Sequence, residues 1–334
     1  MTASKRLRFE PGGAPGLHLT PRDIAIVKAV ARYRVLHSGM IGRVVALVGF
    51  TPGGIDARYG IFDPAKRIRD RLTELFHGGF LARPRAAYSF VRPGSEPLTY
   101  ALGREGTRLL TDLDADFEIA SPRKVRQATR GFLDHQLLVN ELAISLRESH
   151  ARSRPIAIGD DLLDTTGHSS THPFRFSADV TLGTETRRIG IEPDLAFAIQ
   201  SGERTYGYLV EIDRDTEPAV RSRQARGGRT PTLTGTSILR KLLGYAAIKR
   251  SGAVADRLGW RNFKVLFVCE PRPGGGDRIG RLTEVVKKHV PHQARLFMFA
   301  SAAEMKQQDD ILELDWRDAN GNTVRLDPDR VTLQ

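Results

Sequence analysis

The chain has one cysteine in 334 residues, Cys269, inside the apolar run Val265-Leu266-Phe267-Val268-Cys269. A lone thiol excludes a disulfide framework and any cysteine-rich zinc site, and it points to a cytoplasmic location. Nowhere do eighteen apolar residues run together, so no membrane-spanning helix is expected. Lys5, Arg6 and Arg8 open the chain without an apolar segment behind them, so neither export nor a membrane partner is expected. Repeats and low-complexity tracts are missing too. Gly274-Gly275-Gly276 lacks the Gly-Lys-Ser/Thr ending of a phosphate loop and reads as a turn. His168, His172 and Asp164 share a Ser/Thr-rich loop at a spacing that fits no zinc pattern.

What is present is ordinary globular composition, 40% hydrophobic and 27% charged, at a length that suits two or three domains. The net charge is +12 and is unevenly spread: residues 1–130 hold 22 Lys/Arg against 12 Asp/Glu, residues 131–334 hold 29 against 27. A basic first third joined to a nearly neutral remainder suggests a polyanion-binding module, because neutralising phosphates releases condensed counterions.

Residues 1–18, rich in glycine, proline and basic side chains, read as a disordered arm. Thr20-Pro21-Arg22-Asp23 then gives a capping hydroxyl, a proline at the first helical position and an acid near the helix N-terminus. Ile24, Val27, Ala31 and Val35 continue at helical spacing. A second helix covers Ser38 through Val48, and a third runs from about Pro64 to His77 with Ile68, Leu72, Leu75 and Phe76 inside. That phasing puts Lys66, Arg67, Arg69 and Arg71 outside, available to phosphates and base edges. Gly78-Gly79 ends the helix. Phe80–Arg83 and Leu98–Leu102 then read as a hairpin, with Arg83 and Arg92 as further DNA contacts. Three helices and a hairpin over residues 19–112 predict a winged helix-turn-helix domain.

Residues 113–131 switch abruptly from acidic to basic and read as a linker. From 132 to 334 the order is a helix (about Phe132 to Glu148), strands near 174–182, 187–192, 195–199 and 206–212, a helix over 237–251, a strand at 264–269, a helix over 282–290 and a strand at 295–300. This is the order of a restriction-endonuclease-like mixed-sheet domain, making the whole an α/β (α+β) protein. Arg221 to Arg229 reads as an arginine-rich loop, either solvated or a second DNA contact.

Glu192-Pro193-Asp194 is followed seventeen residues after its aspartate by Glu211-Ile212-Asp213, each pair beside a strand-like run. Carboxylates at neighbouring strand ends can share Mg²⁺ or Mn²⁺, which polarises both a phosphate and an attacking water. The pattern is that of an Mg-dependent DNA endonuclease of the PD-(D/E)XK type, with Asp194 and Glu211 in place and Asp213 where lysine is expected. An acid there can still ligate metal, and Lys241 on the following helix can supply the missing cation. Asp194, Glu211, Asp213 and Lys241 are therefore the candidate catalytic residues, with Glu141 as a fourth acid for the metal. Lys241 and Tyr245 lie one helical turn apart.

Four blocks carry a family resemblance: His135-Gln136-Leu137-Leu138-Val139-Asn140-Glu141, Glu192-Pro193-Asp194, Tyr208 through Glu217, and Ser237 through Tyr245. Together they resemble the plasmid replication-relaxation protein family, over roughly residues 20–300. The resemblance implies a winged-helix DNA binder of plasmids and integrative conjugative elements, with a nuclease-like second half that serves replication or relaxation of element DNA. Its Glu-hydrophobic-Asp-Arg block itself lacks the lysine. Expected partners are double-stranded DNA, replication or mobilisation proteins, and a second copy of the chain. The competing reading is a non-enzymatic regulator or replication adaptor whose second domain serves dimerisation or docking.

Overall fold

The structure, a computed structural model, describes residues 10–14, 16–50, 64–87, 97–114, 122–152, 155–159, 161–162, 173–225 and 228–326. The chain divides into two compact units, Met1–Ile144 and Ser145–Gln334. The first unit thus runs past the expected linker at 113–131. Val125 and Leu133 are buried in one cluster with Val35, Ala87 and Ala101, which ties the helices there to it.

In the first unit α1 (Pro21–Tyr33) is followed by β1 (Val35–His37), α2 (Ser38–Leu47), α3 (Pro64–His77), β2 (Leu81–Ala82), β3 (Thr99–Leu102), α4 (Arg104–Leu113), α5 (Pro122–Arg126) and the start of α6 (Arg130–Ala151). The capping box is formed: Thr20 N donates to Asp23 Oδ2 at 2.7 Å, and Asp23 N donates to Thr20 Oγ1 at 3.4 Å. β1 is an addition to the sequence reading, which ran Val35 on from the first helix. Arg34 at φ 66° turns the chain out of that helix, and buried Asn140 fixes the turn by donating to Tyr33 O and Val35 O at 2.9 and 2.6 Å. The expected hairpin pairs Leu81 with Leu102 and Ala82 with Ala101, and β1 joins β3 to give an antiparallel sheet ordered β1-β3-β2. α4 packs so closely on this corner that a Cβ on Gly106 would lie 2.3 Å from Phe80 O, so only glycine fits. Part of the expected arm is tied down. Gly12 N donates to His77 Nδ1 at 3.0 Å, and Glu10 pairs with Arg85 at 3.1 Å.

The second unit is built on a seven-stranded mixed sheet. Its strands are β4 (Ile156–Ile158), β7 (Leu195–Ser201), β8 (Arg204–Asp213), β11 (Phe263–Cys269), β12 (Phe297–Ser301), β13 (Trp316–Asp318) and β14 (Thr323–Val324), ordered β14-β13-β12-β11-β8-β7-β4. β4 and β7 run antiparallel, as do β7 and β8, whereas β8, β11 and β12 are parallel. The parallel steps need crossovers, supplied by α7 (Ile238–Ser251) with the short α8 (Ala253–Leu258), and by α9 (Arg278–His289). Helix, three strands, helix, strand is the expected restriction-endonuclease-like order. One part differs: β5 (Phe176–Leu182) and β6 (Glu185–Ile191) form a separate two-stranded sheet. Phe176, Val180, Ile189 and Ile191 on it are buried in the cluster that holds Leu242 and Tyr245 of α7. The arginine-rich loop is likewise a hairpin of β9 (Ser222–Ala225) and β10 (Gly228–Pro231).

β8 is buried from Gly207 to Asp213, as befits a central strand covered on both faces. At Gly207 the ring of Trp260 occupies the side-chain position, and an added Cβ would lie 2.2 Å from it. Gly207→Ala is therefore expected to cost about 1–3 kcal/mol by overpacking, read as a lower midpoint in urea denaturation. Wild-type stability in this variant would mean that Trp260 moves freely.

Candidate active site

Glu211 and Asp213 are two residues apart on β8 and so lie on one face of the sheet. Asp194, just ahead of β7, is tied to the same stretch twice: its N–H donates to Val210 O at 2.9 Å, and its Oδ2 accepts from Ile212 N at 2.8 Å. These bonds set Asp194 beside Glu211 on the neighbouring strand. Across the face lies α7, opened by Ser237, whose side chain accepts from Arg240 N at 3.3 Å. Lys241 and Tyr245 sit at i and i+4 on that helix and share a face. Lys241 Nζ donates to Glu211 Oε2 at 2.8 Å and Tyr245 OH to Glu211 Oε1 at 2.6 Å. Lys241 of α7 thus places a cation against Glu211.

Glu211 is 3% exposed. Burial is the largest influence on its carboxyl and pushes it up to about 7; Asp194 adds to the rise, while Lys241 and Tyr245 oppose it. Burial pulls Lys241 down, but Glu211, Glu217 and Asp194 outweigh it and hold the ammonium above its ordinary range. Burial, then the charge of Glu211, raises the Tyr245 phenol. Of these groups, Glu211 is the one that responds near neutrality. A raised carboxyl gives stability that is complete below its ordinary value of 4.5 and is lost as pH rises through about 7. The second unit is therefore expected to melt at lower temperature as pH rises from about 5 to about 8. Glu211→Gln should flatten that slope in thermal melts, and an unchanged slope would assign the titration to another group.

Asp213 does not join Glu211 as an expected metal ligand would. It is 5% exposed and held by the fork of Arg278, with Nε to Oδ2 at 2.6 Å and Nη2 to Oδ1 at 3.0 Å. Arg278 is the first residue of α9, set there by the Asp277 cap, which accepts from Gly280 N at 2.8 Å. Arg278 Nη1 also pairs with Asp215 at 2.8 Å, and Nη2 donates to Glu217 O at 2.9 Å. Asp215 sits at φ 54° and pairs with Arg281 at 3.3 Å. The acids of Glu211 through Glu217 therefore clamp both crossover helices to the end of β8. Glu217 and Arg278 escaped the sequence reading. Glu217 Oε2 lies 3.7 Å from Lys241 Nζ, and its only signal was membership in an acid-rich block.

Other expected site residues are also engaged elsewhere. Glu141 belongs to the first unit, where Arg43 pairs with it. Arg71, expected to face DNA, borders the buried stripe of α3 and reaches Asp23 at 2.6 Å, an acid with no exposure that needs a cation. Arg83 lies over the Phe76 ring at 4.1 Å and donates to Thr73 Oγ1 and Tyr100 OH, so it too packs inward. Arg67 and Arg69 are exposed on α3. The Lys66 side chain and Arg92 fall outside the described residues, as do His168, His172 and Asp164.

Among the described residues no group of three or more His, Cys, Asp or Glu side chains is arranged to hold a metal ion. Two adjacent carboxylates remain, Asp194 and Glu211. Such a pair fits Mg²⁺, which keeps several waters and takes one or two carboxylates plus substrate phosphate. Within the second unit the residues therefore suit a two-carboxylate site of Asp194 and Glu211, with Asp213 taken by Arg278. No helix among the described residues is long and apolar enough to cross a membrane.

The second unit is thus a mixed-sheet α/β unit with Asp194, Glu211 and Lys241 brought together at the central strand. The chain belongs to the replication-relaxation family, which matches residues 54–261, more than half of its length. No curated protein matches it. Among solved structures, that of restriction endonuclease FokI is similar at 11% identity and a TM-score of 0.25, over 85% of this chain and 42% of that one. This chain thus spans less than half of that structure, and a likeness so distant carries no weight for fold or function.

Proposed function

We infer that this member of the replication-relaxation family binds double-stranded DNA through its first unit and nicks it with its second, acting in the cytoplasm in replication or relaxation of a plasmid or integrative mobile element. The observation that carries the reading is Lys241 Nζ at 2.8 Å from Glu211 beside Asp194, which restores the acid-acid-lysine set by a lysine from α7. Asp194 and Glu211 would hold Mg²⁺ or Mn²⁺, which when bound would supply polarisation of a phosphate oxygen and of water. Lys241 brings positive charge to the water or the scissile phosphate, Tyr245 orients Glu211, and Arg278 keeps the charge of Asp213 out of the reaction. The test is nicking of supercoiled DNA in Mg²⁺ by the full chain. Activity should vanish in EDTA and in Asp194→Ala, and activity surviving that replacement overturns the assignment.

The strand order β1-β3-β2 with three helices ahead of the hairpin supports reading the first unit as a winged helix with α3 toward the major groove. DNA affinity is expected to fall steeply with salt, and Arg67→Ala and Arg69→Ala each to lower the salt slope by about one. Arg71→Ala should loosen the first unit through Asp23. Fluorescence anisotropy at several salt concentrations checks this, and unchanged affinity in both exposed-arginine variants would misplace α3.

One observation favours the adaptor reading. Both oxygens of Glu211, both of Asp213 and one of Asp194 already accept hydrogen bonds, so the acids are satisfied without metal. In that case millimolar Mg²⁺ leaves the melting temperature unchanged, and the second unit serves dimerisation or docking to replication or mobilisation proteins.

A further inference from the structure

A cavity of about 550 Å³ opens in the second unit at the starting ends of β11 and β12, whereas Glu211 and Asp213 lie toward the finishing end of β8. Its lining holds Lys249, Lys264, His292, Arg295 and Arg325, and among the described residues no acid. Arg325 is neutralised by Glu313 and Asp315, each at 2.9 Å. The two lysines are not. Lys249 Nζ donates to Arg261 O at 2.7 Å and Lys264 Nζ to Arg295 O at 2.6 Å, and neither forms an ion pair among the described residues. Burial lowers both ammonium groups, and Arg295 and Lys249 press Lys264 further down. The one acid that acts on Lys264 is Asp318, whose oxygens are taken by Asn320 N, Asn322 N and Asn322 Nδ2. Like charges gathered half-buried around an open volume favour an anion. The lining also holds Tyr206 and Tyr208, on the same face of the sheet as Lys264, and Phe263 on the opposite face, with Lys249 Nζ 5.1 Å from its ring centre; Asn262 and Gln293 add amide groups. The volume lies in the range of small-ligand sites.

We propose that this cavity binds a nucleotide, its phosphate held by Lys249 and Lys264 and its base against the lining tyrosines Tyr206 and Tyr208. The nucleotide comes either free or as one unit of a single DNA strand, and stacking with cationic phosphate contacts serves both. The test is calorimetric titration of the full chain in EDTA, with dAMP, with a short single-stranded oligonucleotide and with inorganic phosphate. EDTA keeps the Asp194–Glu211 pair out of the result, so this inference and the nicking reading fail separately. Saturable binding of dAMP assigns the free nucleotide, and binding of the oligonucleotide alone assigns the strand. Either should weaken by about tenfold or more in Lys249→Gln and in Lys264→Gln, with phosphate alone at least about tenfold weaker than the nucleotide. No saturable binding of dAMP or oligonucleotide overturns the proposal. So does binding that both lysine variants leave intact, or phosphate that binds as well as dAMP. Melting curves report whether each variant folds; if Lys264→Gln does not, the more peripheral Lys249→Gln carries the test.

Discussion

Arg278→Leu is expected to destabilise the second unit by about 3–5 kcal/mol, the range found when a buried pair loses one partner. The magnitude follows from what is left behind. Asp213, at 5% exposure, loses both donors of the guanidinium fork, and Asp215 loses its closer cation. Water cannot reach Asp213 without opening the junction between β8 and α9. Denaturation followed by tryptophan fluorescence suits the measurement, because both tryptophans, Trp260 and Trp316, are in the second unit. Replacing both partners, Asp213→Asn with Arg278→Leu, should recover much of the loss, since the cost lies in the orphaned charge. A loss below about 1 kcal/mol in the single variant would mean that Asp213 finds another cation.

Glu211→Gln is expected to lower Mg²⁺-dependent nicking by at least about 10²–10³-fold, the cost of removing one preorganised electrostatic group. Lys241→Met should lose a similar factor while keeping metal-dependent thermal stabilisation, because it removes the cation and leaves both carboxylates. The two variants therefore separate ligation from charge stabilisation. Burial holds Glu211 near 7, and metal binding needs the ionised form, so metal affinity in the wild type should rise with pH across neutrality. Nicking that persists in Glu211→Gln would remove Glu211 from the proposed site. Flat affinity between about pH 6 and about pH 8 would show that Glu211 does not ligate.

Much of this site was legible in the chain. Pro193-Asp194 and Glu211 at strand ends, and Lys241 with Tyr245 one turn apart, are local patterns, and local periodicity decides which side chains share a face. Asp213 shows where such reading stops. On β8 it has the same phase as Glu211, and nothing nearby in sequence distinguishes them. The difference is Arg278, 65 residues later, which arrives on Asp213 only because α9 starts there. Arg71 and Arg83 were misread for the same reason: a long cationic side chain near a buried stripe turns inward when a buried acid or an aromatic ring lies within reach. β5 and β6 read as core strands because alternation identifies a half-buried strand without naming the sheet it joins.

By itself, then, the sequence determined the main helices and the central strands, the uneven spread of charge, the neighbouring strand ends of Asp194 and Glu211, and the face of α7 that bears Lys241. These follow from periodicity, capping and charge, which act over a few residues. Only the tertiary structure decided which acid meets which cation. Parallel crossover packing brings α7 to Glu211 and α9 to Asp213, leaving one carboxylate paired with Lys241 and sealing the other under Arg278.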